Sequence, residues 1–319
     1  MSLTAGFLLL LLLVPLVLLL VVTFLPRKVY NIDGSSCAIT GASEGLGAVV
    51  ALHLAKAGAK KLILGARRME KLLKVKEDVV KQSPSVDVIL VKLDVRDAES
   101  RANFVREARE NSCNVLVNNA GVDRNAFFEK MSDDEVDLVM ETNLLSCVKL
   151  TRSFLNMMLE AKGGHIVNMC SVASQLPVPF GAIYATSKAG LLGFSASLRA
   201  EMIYEKKPVT VHSICPGLVV DAGMASDREE RLGLTIREAG RLVGWTTPKR
   251  VAEAVIMAIE YDEPDLIVNC IPVRVVFGFM CFFPRLAENT MLLSFLKGTI
   301  VDRVVRYFRK DAEFEASQK

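Results

Sequence analysis

The sequence has few of the residues that build metal and nucleic-acid sites. Only three of its 319 residues are histidines, and none has a spacing typical of metal ligands. Its seven cysteines include no Cys-x-x-Cys pair and are scattered in apolar runs, which favours buried thiols in a reducing compartment. The formal net charge is only +3, without a basic stripe interleaved with aromatic residues. We therefore expect no metal and no nucleic-acid partner.

Charged side chains are absent from the first 26 residues, and residues 3–25 are almost entirely Leu and Val. Such a run is long enough to cross a hydrocarbon core of ~30 Å as a helix, and Pro15 can kink it without preventing the span. Arg27 and Lys28 follow, which by the positive-inside rule places the domain behind them in the cytosol. A cleaved signal peptide is the alternative, but the run lacks a preceding basic residue and a small-x-small cleavage site. We predict a single-pass membrane anchor at residues 1–26, with the endoplasmic reticulum as the expected membrane, and a juxtamembrane linker at 27–35.

A glycine-rich turn, Thr-Gly-Ala-Ser-Glu-Gly-Leu-Gly at Thr40–Gly47, lies between a β-branched run and an alanine-rich segment. Strand, glycine turn and helix are the context that a dinucleotide phosphate needs. Gly41 can take a tight turn, Gly45 lets the backbone approach a pyrophosphate, and Gly47 allows close helix–strand packing. The helix N-terminus would then face the phosphate charge. An ordinary strand-to-helix turn is the alternative.

Short apolar runs alternate with amphipathic segments of ten or more residues along the chain, a pattern typical of parallel β-α-β units. The predicted strands are Ser36–Thr40, Lys61–Ala66, Val86–Leu93, Asn114–Val117, Gly164–Met169, Val209–Ile214 and Asp265–Asn269. The predicted helices include Ala48–Gly58, Met69–Gln82, Asp97–Glu110 and Pro248–Tyr261. The sequence therefore predicts an α/β fold at residues 36–271, a doubly wound parallel sheet (Rossmann fold) with helices on both faces, followed by an apolar and then basic segment at 272–319.

Tyr184 and Lys188 are four residues apart, which places them on one face of a helix. A free phenol has a pKa of about 10, and a nearby ammonium is expected to lower the pKa of Tyr184. The tyrosine could then give a proton in ketone reduction and take one in alcohol oxidation. Ser171, thirteen residues before Tyr184, could donate to the substrate oxygen as charge develops. An ordinary surface pair is the alternative for Tyr184 and Lys188, whereas a hydrolase nucleophile at Ser171 is disfavoured because no Gly-x-Ser-x-Gly elbow surrounds it.

Together with Asn-Asn-Ala-Gly at 118–121, these motifs resemble the tyrosine-dependent branch of the short-chain dehydrogenase/reductase family, from Ser36 to about Asn269. With an anchor, the chain resembles membrane-bound hydroxysteroid dehydrogenases and keto-lipid reductases. The resemblance implies the catalytic residues Ser171, Tyr184, Lys188 and Asn143. It implies cofactor contacts at Gly41, Ser43, Gly45, Leu46, Gly47, Arg67, Asp94, Asn118, Ala120, Gly121, Tyr184, Lys188, Pro216, Gly217 and Val219.

In that family the backbone of the asparagine matched by Asn143 holds a water that links the catalytic lysine to solvent. Asp94 matches the acid that contacts adenine, and Lys188 the lysine that holds the nicotinamide ribose. The turn at Pro216 and Gly217 would close over the nicotinamide. The family's next contact is usually a threonine, but here the position is Asp221, which has no hydroxyl.

Arg67 follows the second predicted strand, where a basic residue accommodates a 2′-phosphate and an acidic one binds a free ribose. A solvated surface arginine is the alternative. Glu44 in the glycine turn opposes this assignment, because many NADP-dependent relatives carry a basic residue or serine there. We predict NADP(H) in preference to NAD(H).

The predicted activity is hydride transfer between NADP(H) and the carbonyl or secondary alcohol of a lipophilic substrate, such as a steroid, retinoid or long-chain keto-lipid. The anchor and the apolar stretch Leu176–Phe180 before Tyr184 favour that class. A non-catalytic membrane-bound NADP sensor or scaffold is the alternative. The apolar run Val273–Phe283 predicts either a dimer contact, and so a homo-oligomer, or a contact with membrane lipid.

Overall fold

Seven parallel strands form one sheet. The computed structural model describes residues 30–124, 126–176, 181–220 and 245–269. Within them the strands are β1 Ser36–Thr40, β2 Lys61–Ala66, β3 Asp87–Lys92, β4 Val115–Asn118, β5 Gly164–Met169, β6 Val209–Pro216, β7 Leu218–Val219, β8 Trp245–Thr246 and β9 Asp265–Val268. The strands of the sheet lie in the order β3-β2-β1-β4-β5-β6-β9, whereas the two short strands β7 and β8 pair separately, also in parallel.

Helices cover both faces of the sheet, which confirms the predicted doubly wound fold. They are α1 Gly45–Lys56, α2 Met69–Gln82, α3 Ala98–Glu110, α4 Asp133–Met140, α5 Ser146–Glu160, α6 Ala182–Tyr204 and α7 Pro248–Glu260. A π-helical turn, Glu141–Leu145, joins α4 to α5, and short 3-10 turns lie at Phe128–Lys130 and Val172–Ser174. The first helix begins three residues earlier than predicted, because the glycine turn passes directly into it.

Two apolar layers hold the helices against the sheet, because successive strand residues point to opposite faces. On β1, Cys37 and Ile39 join the layer under α1, α2 and α7, whereas Ala38 joins the layer under α3, α5 and α6. Leu54 of α1 and Phe154 of α5 are fully buried, one in each layer.

Polar side chains fix where several helices begin. Asp97, predicted as the first helical residue of α3, instead caps that helix by accepting from Ser100 N at 2.6 Å. Ser132 and Glu135 form a reciprocal capping box at α4. Such caps satisfy donors that have no partner inside the helix.

All strands of the sheet run the same way, so their carboxyl ends share one edge and their amino ends share the other. At the amino-terminal edge, the turns after four helices place non-glycine residues in the left-handed region, with φ between 51° and 61°. They are Ser112, Lys162, Lys206 and Asp262.

The chain also enters the fold at this amino-terminal edge. The Tyr30 backbone N–H donates to the carbonyl of Glu260 at 2.9 Å, and the Tyr30 ring meets His165 edge-on, with ring centroids 4.5 Å apart. His165 and His212 both hydrogen-bond the Thr210 hydroxyl, at 2.8 and 2.6 Å. The two histidines on β5 and β6 therefore have partners within the fold.

Several predictions fall on residues that the structure does not describe. These are the anchor at 1–26, the stretch 177–180, Asp221 with the loop behind it, and the segment 272–319. Among the described helices, none is both long and apolar enough to cross a membrane.

Candidate active site

The glycine turn after β1 is shaped to leave room at the carboxyl-terminal edge of the sheet. Gly41 and Gly45 have φ of +66° and +57°, a region that favours glycine. A Cβ on Gly41 would stand 2.8 Å from the Ala120 Cα. A Cβ on Gly47 would collide with the Gly41 carbonyl and lie 2.6 Å from Asn119 Nδ2. These positions of the turn therefore have room for backbone atoms but not for a side chain.

In the described structure, helix α1 begins directly after this turn and has no side-chain cap. Glu44 occupies the N-cap position, but its side chain makes no hydrogen bond to the first turn of the helix. The first amide groups of a helix have no intrahelical partner, and they attract anions. A dinucleotide pyrophosphate fits this arrangement of open backbone and uncapped helix. Ser43 and Leu46 lie in the same turn, buried and half-buried respectively.

Thr40 and Asn119 lock the turn after β1 to the turn after β4. The Thr40 hydroxyl accepts from the backbone N–H groups of Asn119 and Ala120, at 3.0 and 2.9 Å. In return, Asn119 Nδ2 donates to the carbonyls of Thr40 and Gly41, at 3.0 and 3.2 Å. We did not predict either side chain as a site residue, although Asn119 belongs to the Asn-Asn-Ala-Gly motif.

Asn118 is buried below that turn and connects two strands with two helices. Its Nδ2 donates to Thr151 Oγ1 on α5 at 3.0 Å and to Asn168 Oδ1 on β5 at 2.9 Å. Asn168 Nδ2 in turn donates to Ser195 Oγ on α6 at 2.8 Å. Asn118 is thus a structural support for α6, which carries Tyr184 and Lys188, and we missed the rest of this network.

Ser171, Tyr184 and Lys188 meet where β5 ends and α6 begins. A side-chain hydrogen bond joins Ser171 to Tyr184, and Ser171 Oγ also accepts from Ala173 N at 3.2 Å. Lys188 is buried, with Nζ donating to the Met169 carbonyl at 2.7 Å and lying 5.9 Å from the centroid of the Tyr184 ring. The structure therefore brings the three predicted side chains into one cluster.

The expectation that Lys188 lowers the pKa of Tyr184 is wrong for this structure. Burial raises the pKa of Tyr184, and the hydrogen bond with Ser171 only partly offsets that rise. Burial also lowers the pKa of Lys188, whose ammonium is held at the Met169 carbonyl. Loss of solvent disfavours the phenolate more than these neighbours stabilise it. Tyr184 consequently holds its proton at neutral pH, as a proton donor must.

Three cysteines surround Lys188 on its inner side. Cys147, Cys170 and Cys215 form one apolar cluster with Leu191. A hydrogen bond to Cys215 and burial both raise the pKa of the Cys170 thiol, and burial raises that of Cys147. All five cysteines of the described residues are free and buried, which confirms the expectation of buried thiols for them.

Asn143 lies in the π-helical turn between α4 and α5 and is fully buried. Its Oδ1 accepts from Val122 N at 2.8 Å, while its Nδ2 donates to the Val122 carbonyl at 2.9 Å and to Ser187 Oγ at 3.2 Å. A Cβ on Gly121 would sit 3.3 Å from Asn143 Oδ1 and 3.6 Å from Lys188 Nζ. Asn143 therefore ties the loop after β4 to the helix that carries Lys188. Its water-binding role stays a prediction.

Arg67 and Asp94 follow β2 and β3 at the same edge. Arg67 is exposed, and its positive charge is one of the influences on Asp94. Burial raises the pKa of Asp94, but hydrogen bonds from Arg96 outweigh it, so the net shift is downward. The acid stays ionised at neutral pH and can accept hydrogen bonds.

Glu44 is neutralised by two basic side chains of the next βα unit. Its carboxylate forms ion pairs with Arg68 and with Lys71, the latter at 2.5 Å. Burial raises the pKa of Glu44, but the bonds from Lys71 and Arg68 produce a net decrease. The acidic residue that opposed an NADP assignment therefore carries two compensating cations, neither of which is Arg67.

Pro216 is the last residue of β6, and Gly217 and Val219 come directly after it along the chain. Pro216 is buried at the end of the strand, and a Cβ on Gly217 would lie 2.8 Å from Asn269 Nδ2. Val219 pairs with Thr246 in the small sheet of β7 and β8. Across the residues that the structure describes, no group of three or more His, Cys, Asp or Glu is arranged to hold a metal.

Comparison with known proteins agrees with this geometry. The model of the short chain dehydrogenase family matches residues 36–233. Ketoacyl reductase HetN of Nostoc sp. is 33% identical over 280 residues, 87% of this chain and 90% of that relative. The 3-oxoacyl-acyl-carrier-protein reductase FabG of Escherichia coli is 32% identical over 216 residues, 67% of this chain and 86% of its own.

Solved structures show the same fold. Actinorhodin polyketide ketoreductase with NADPH superposes with a TM-score of 0.67 at 28% identity, covering 75% of this chain and 97% of its own. A metagenomic short-chain oxidoreductase in complex with NADP gives a TM-score of 0.61 at 29% identity, covering 75% of this chain and 98% of its own. The family match spans more than half of the chain and includes the glycine turn, Ser171, Tyr184 and Lys188. This protein is an oxidoreductase of the short-chain dehydrogenase family.

Proposed function

We propose that this protein is a membrane-anchored, NADPH-dependent reductase of a keto group on a long-chain lipid. The observation that carries the proposal is the cluster of Ser171, Tyr184 and Lys188, in which the tyrosine hydroxyl is hydrogen-bonded to Ser171 and the lysine is buried. A protonated phenol beside a hydroxyl donor suits the reduction of a ketone, where the oxygen must receive a proton.

When bound, NADPH supplies the hydride that adds to the carbonyl carbon. Ser171 donates a hydrogen bond to the carbonyl oxygen as negative charge develops there. Tyr184 transfers its phenolic proton to that oxygen, which completes the alcohol and leaves a phenolate. Lys188 lies one helical turn from Tyr184, with its Nζ held by the Met169 carbonyl and 5.9 Å from the centroid of the Tyr184 ring. Asn143 and the Asn118 network position the helix on which both residues lie.

The preference for NADPH rests on Arg67 at the end of β2, where a guanidinium can bind a 2′-phosphate. The ion pairs of Glu44 with Arg68 and Lys71 support this assignment, because they remove the repulsion that a free carboxylate would exert. Two solved neighbours are described with NADPH or NADP bound.

The substrate class rests on the relatives and on the N-terminal apolar run. Two relatives are named as a ketoacyl and a 3-oxoacyl-acyl-carrier-protein reductase, and a solved neighbour as a polyketide ketoreductase. An uncharged run of 26 residues would keep the enzyme at the membrane where long-chain lipids collect. The names of the relatives and the N-terminal apolar run together favour a keto-lipid substrate over a steroid or a retinoid.

A substrate screen of the full chain tests the proposal. Purified protein in detergent micelles is given 3-ketoacyl thioesters, free keto-lipids, steroid ketones and retinal, each with NADPH and with NADH. We expect turnover with at least one long-chain keto substrate and a higher kcat/KM with NADPH. Cofactor binding without turnover on any of them would contradict a reductase and favour the sensor or scaffold alternative.

Cofactor choice has its own test at Arg67. Arg67→Asp replaces attraction for the 2′-phosphate with repulsion, so the ratio of kcat/KM for NADPH to that for NADH should fall at least tenfold. Arg106→Asp, on the exposed side of α3, is the matched control and should leave the ratio unchanged. An unchanged ratio in Arg67→Asp would make Arg67 a plain surface charge.

The location is tested by deleting residues 1–26, which should release much of the protein from membranes. The segment 273–283 can hold back a fraction. Protease treatment of intact microsomes tests the orientation, because a cytosolic catalytic domain is digested without detergent. Survival of the domain would place it in the lumen and contradict the orientation expected from Arg27 and Lys28.

A further inference from the structure

The amino-terminal edge of the sheet, opposite the active site, carries the most exposed large apolar side chains of the described residues. Ile203 and Tyr204, at the end of α6, are 71% and 88% exposed. Tyr261, directly after α7, is 49% exposed and lies at the same edge. Leaving large apolar side chains in water is unfavourable, so the adjacent pair Ile203 and Tyr204 indicates a contact surface.

The N-terminal apolar run reaches the fold at this same edge. Tyr30 is fixed there by its hydrogen bond to the Glu260 carbonyl and its ring contact with His165. Ile32, two residues later, is fully buried. The four residues from Pro26 to Tyr30 can span at most about 14 Å. The end of the uncharged run therefore lies within that distance of the edge.

The chemistry of the edge suits the headgroup layer of a bilayer. Tyrosine has an apolar ring and a polar hydroxyl, and lysine can extend its ammonium to water while its stem stays in an apolar layer. Lys206 and Lys207 follow Tyr204 and are exposed. Lys207 is paired with Glu205 at 3.7 Å, and the exposed Asp262 follows Tyr261, so the edge has mixed charge. Mixed charge fits zwitterionic lipid and gives no particular attraction to anionic lipid.

We propose that this amino-terminal edge rests on the headgroup layer of the bilayer that holds residues 1–26, with Ile203 and Tyr204 as the inserted side chains. The inference rests on the anchor of the proposed function and adds to it the face that meets the membrane. The active site, at the other edge of the sheet, then opens away from the bilayer.

The test measures contact with lipid at one position on each edge. Tyr204→Cys and Leu73→Cys are each made in the full chain, labelled with the fluorophore NBD and placed in phosphatidylcholine nanodiscs. Leu73 lies at the start of α2, at the active-site edge, and is 51% exposed. The unsubstituted chain, labelled in the same way, gives the background from its own cysteines.

With nitroxide-bearing phosphatidylcholine in the disc, we expect NBD at position 204 to lose at least half of its emission, and NBD at position 73 to change little. Equal quenching at the two positions overturns the proposal. High emission at 204 that the nitroxide lipid does not quench also overturns it, and would indicate a second copy of the chain on this face. A chain that does not co-purify with the discs contradicts the anchor itself, so the two failures are distinguishable.

A second variant, which carries no fluorophore, tests the membrane contact in a different way. Ile203→Ser with Tyr204→Ser should retain the melting temperature and the turnover of a water-soluble ketone, because both side chains are exposed and far from Ser171. Its amides at 203–207 should exchange with deuterium at least fivefold faster in nanodiscs than those of the unsubstituted chain. Unchanged exchange would contradict insertion of these two side chains.

Discussion

The glycine turn at the carboxyl-terminal edge of the central sheet tolerates added side-chain atoms less well than four turns at the amino-terminal edge. At the carboxyl-terminal edge, a single added Cβ on Gly47 would meet the backbone of Gly41 and the side chain of Asn119. At the amino-terminal edge, four turns place non-glycine residues in the left-handed region. The side chains of Ile203 and Tyr204 at this edge are exposed to solvent. The first edge has to approach a ligand closely, whereas the second only reverses the chain. Substitutions at Gly47 and in these four turns should therefore have very different effects.

Replacement of two tyrosines on α6 gives the largest contrast. Tyr184→Phe removes the proton donor and should lower kcat by about 10²–10⁴, while the melting temperature and NADPH binding stay close to those of the unsubstituted protein. Tyr204→Phe, at the other end of the same helix, should leave kcat unchanged. Steady-state kinetics on the best substrate of the screen measure both. Full activity of Tyr184→Phe would remove Tyr184 from the mechanism.

Two glycine substitutions give the next largest contrast. Gly47→Ala should destabilise the fold by about 1–3 kcal/mol and weaken NADPH binding, because the added methyl has to displace backbone atoms. Gly193→Ala, within α6, meets nothing within 4 Å and should stabilise the protein by about 0.5–1 kcal/mol. Urea unfolding with and without NADPH measures both changes. Equal stability of the two variants would contradict the close approach at Gly47.

The smallest expected effect is a dependence of the stability of the fold on pH, which originates at the amino-terminal edge. Burial lowers the pKa of His212 below its ordinary 6.5, although its hydrogen bond to the Glu263 carbonyl and the charge of Asp262 act in the opposite direction. The unfolded chain then binds the proton more readily than the folded protein. Stability is therefore unaffected above about pH 6.5 and decreases as the pH falls below that value.

Melting temperatures between about pH 7.5 and 5.5 measure this effect. In His212→Gln the decrease over this range should be smaller than in the unsubstituted protein. His53→Gln, whose ring only contacts the Val49 carbonyl of its own helix, is the control and should keep the original decrease. An unchanged slope in His212→Gln would assign the pH dependence to other groups.

The strands and the glycine turn were predictable because their signals are local. A parallel strand covered on both faces needs a Val-, Ile- and Leu-rich run, and the run Lys61–Ala66 ends within the predicted bounds. The turn shows itself in three closely spaced glycines. Helix α6 was also predictable in part, because Tyr184 and Lys188 required one helical face.

Other features depend on contacts between residues far apart in the chain. The lock between Thr40 and Asn119 joins positions 79 residues apart, and the ion pairs of Glu44 reach 24 and 27 residues along the chain. The pKa of Tyr184 depends on how deeply α6 is covered, which no spacing of residues reveals. The π-helical turn around Asn143 likewise follows from the loop that its side chain binds.

The single direction of the strands has a consequence for which ketones can react. Strand β6 alone, with its eight residues, is about 26 Å long. With the amino-terminal edge on the bilayer, Ser171 and Tyr184 stand about one strand length above the lipid surface. A flexible chain at least as long as that height can raise its polar end to the site while its tail stays among the lipids, whereas a compact, rigid ring system has to desorb completely. Height above the membrane would thus select substrates by length and flexibility before any contact with the catalytic residues.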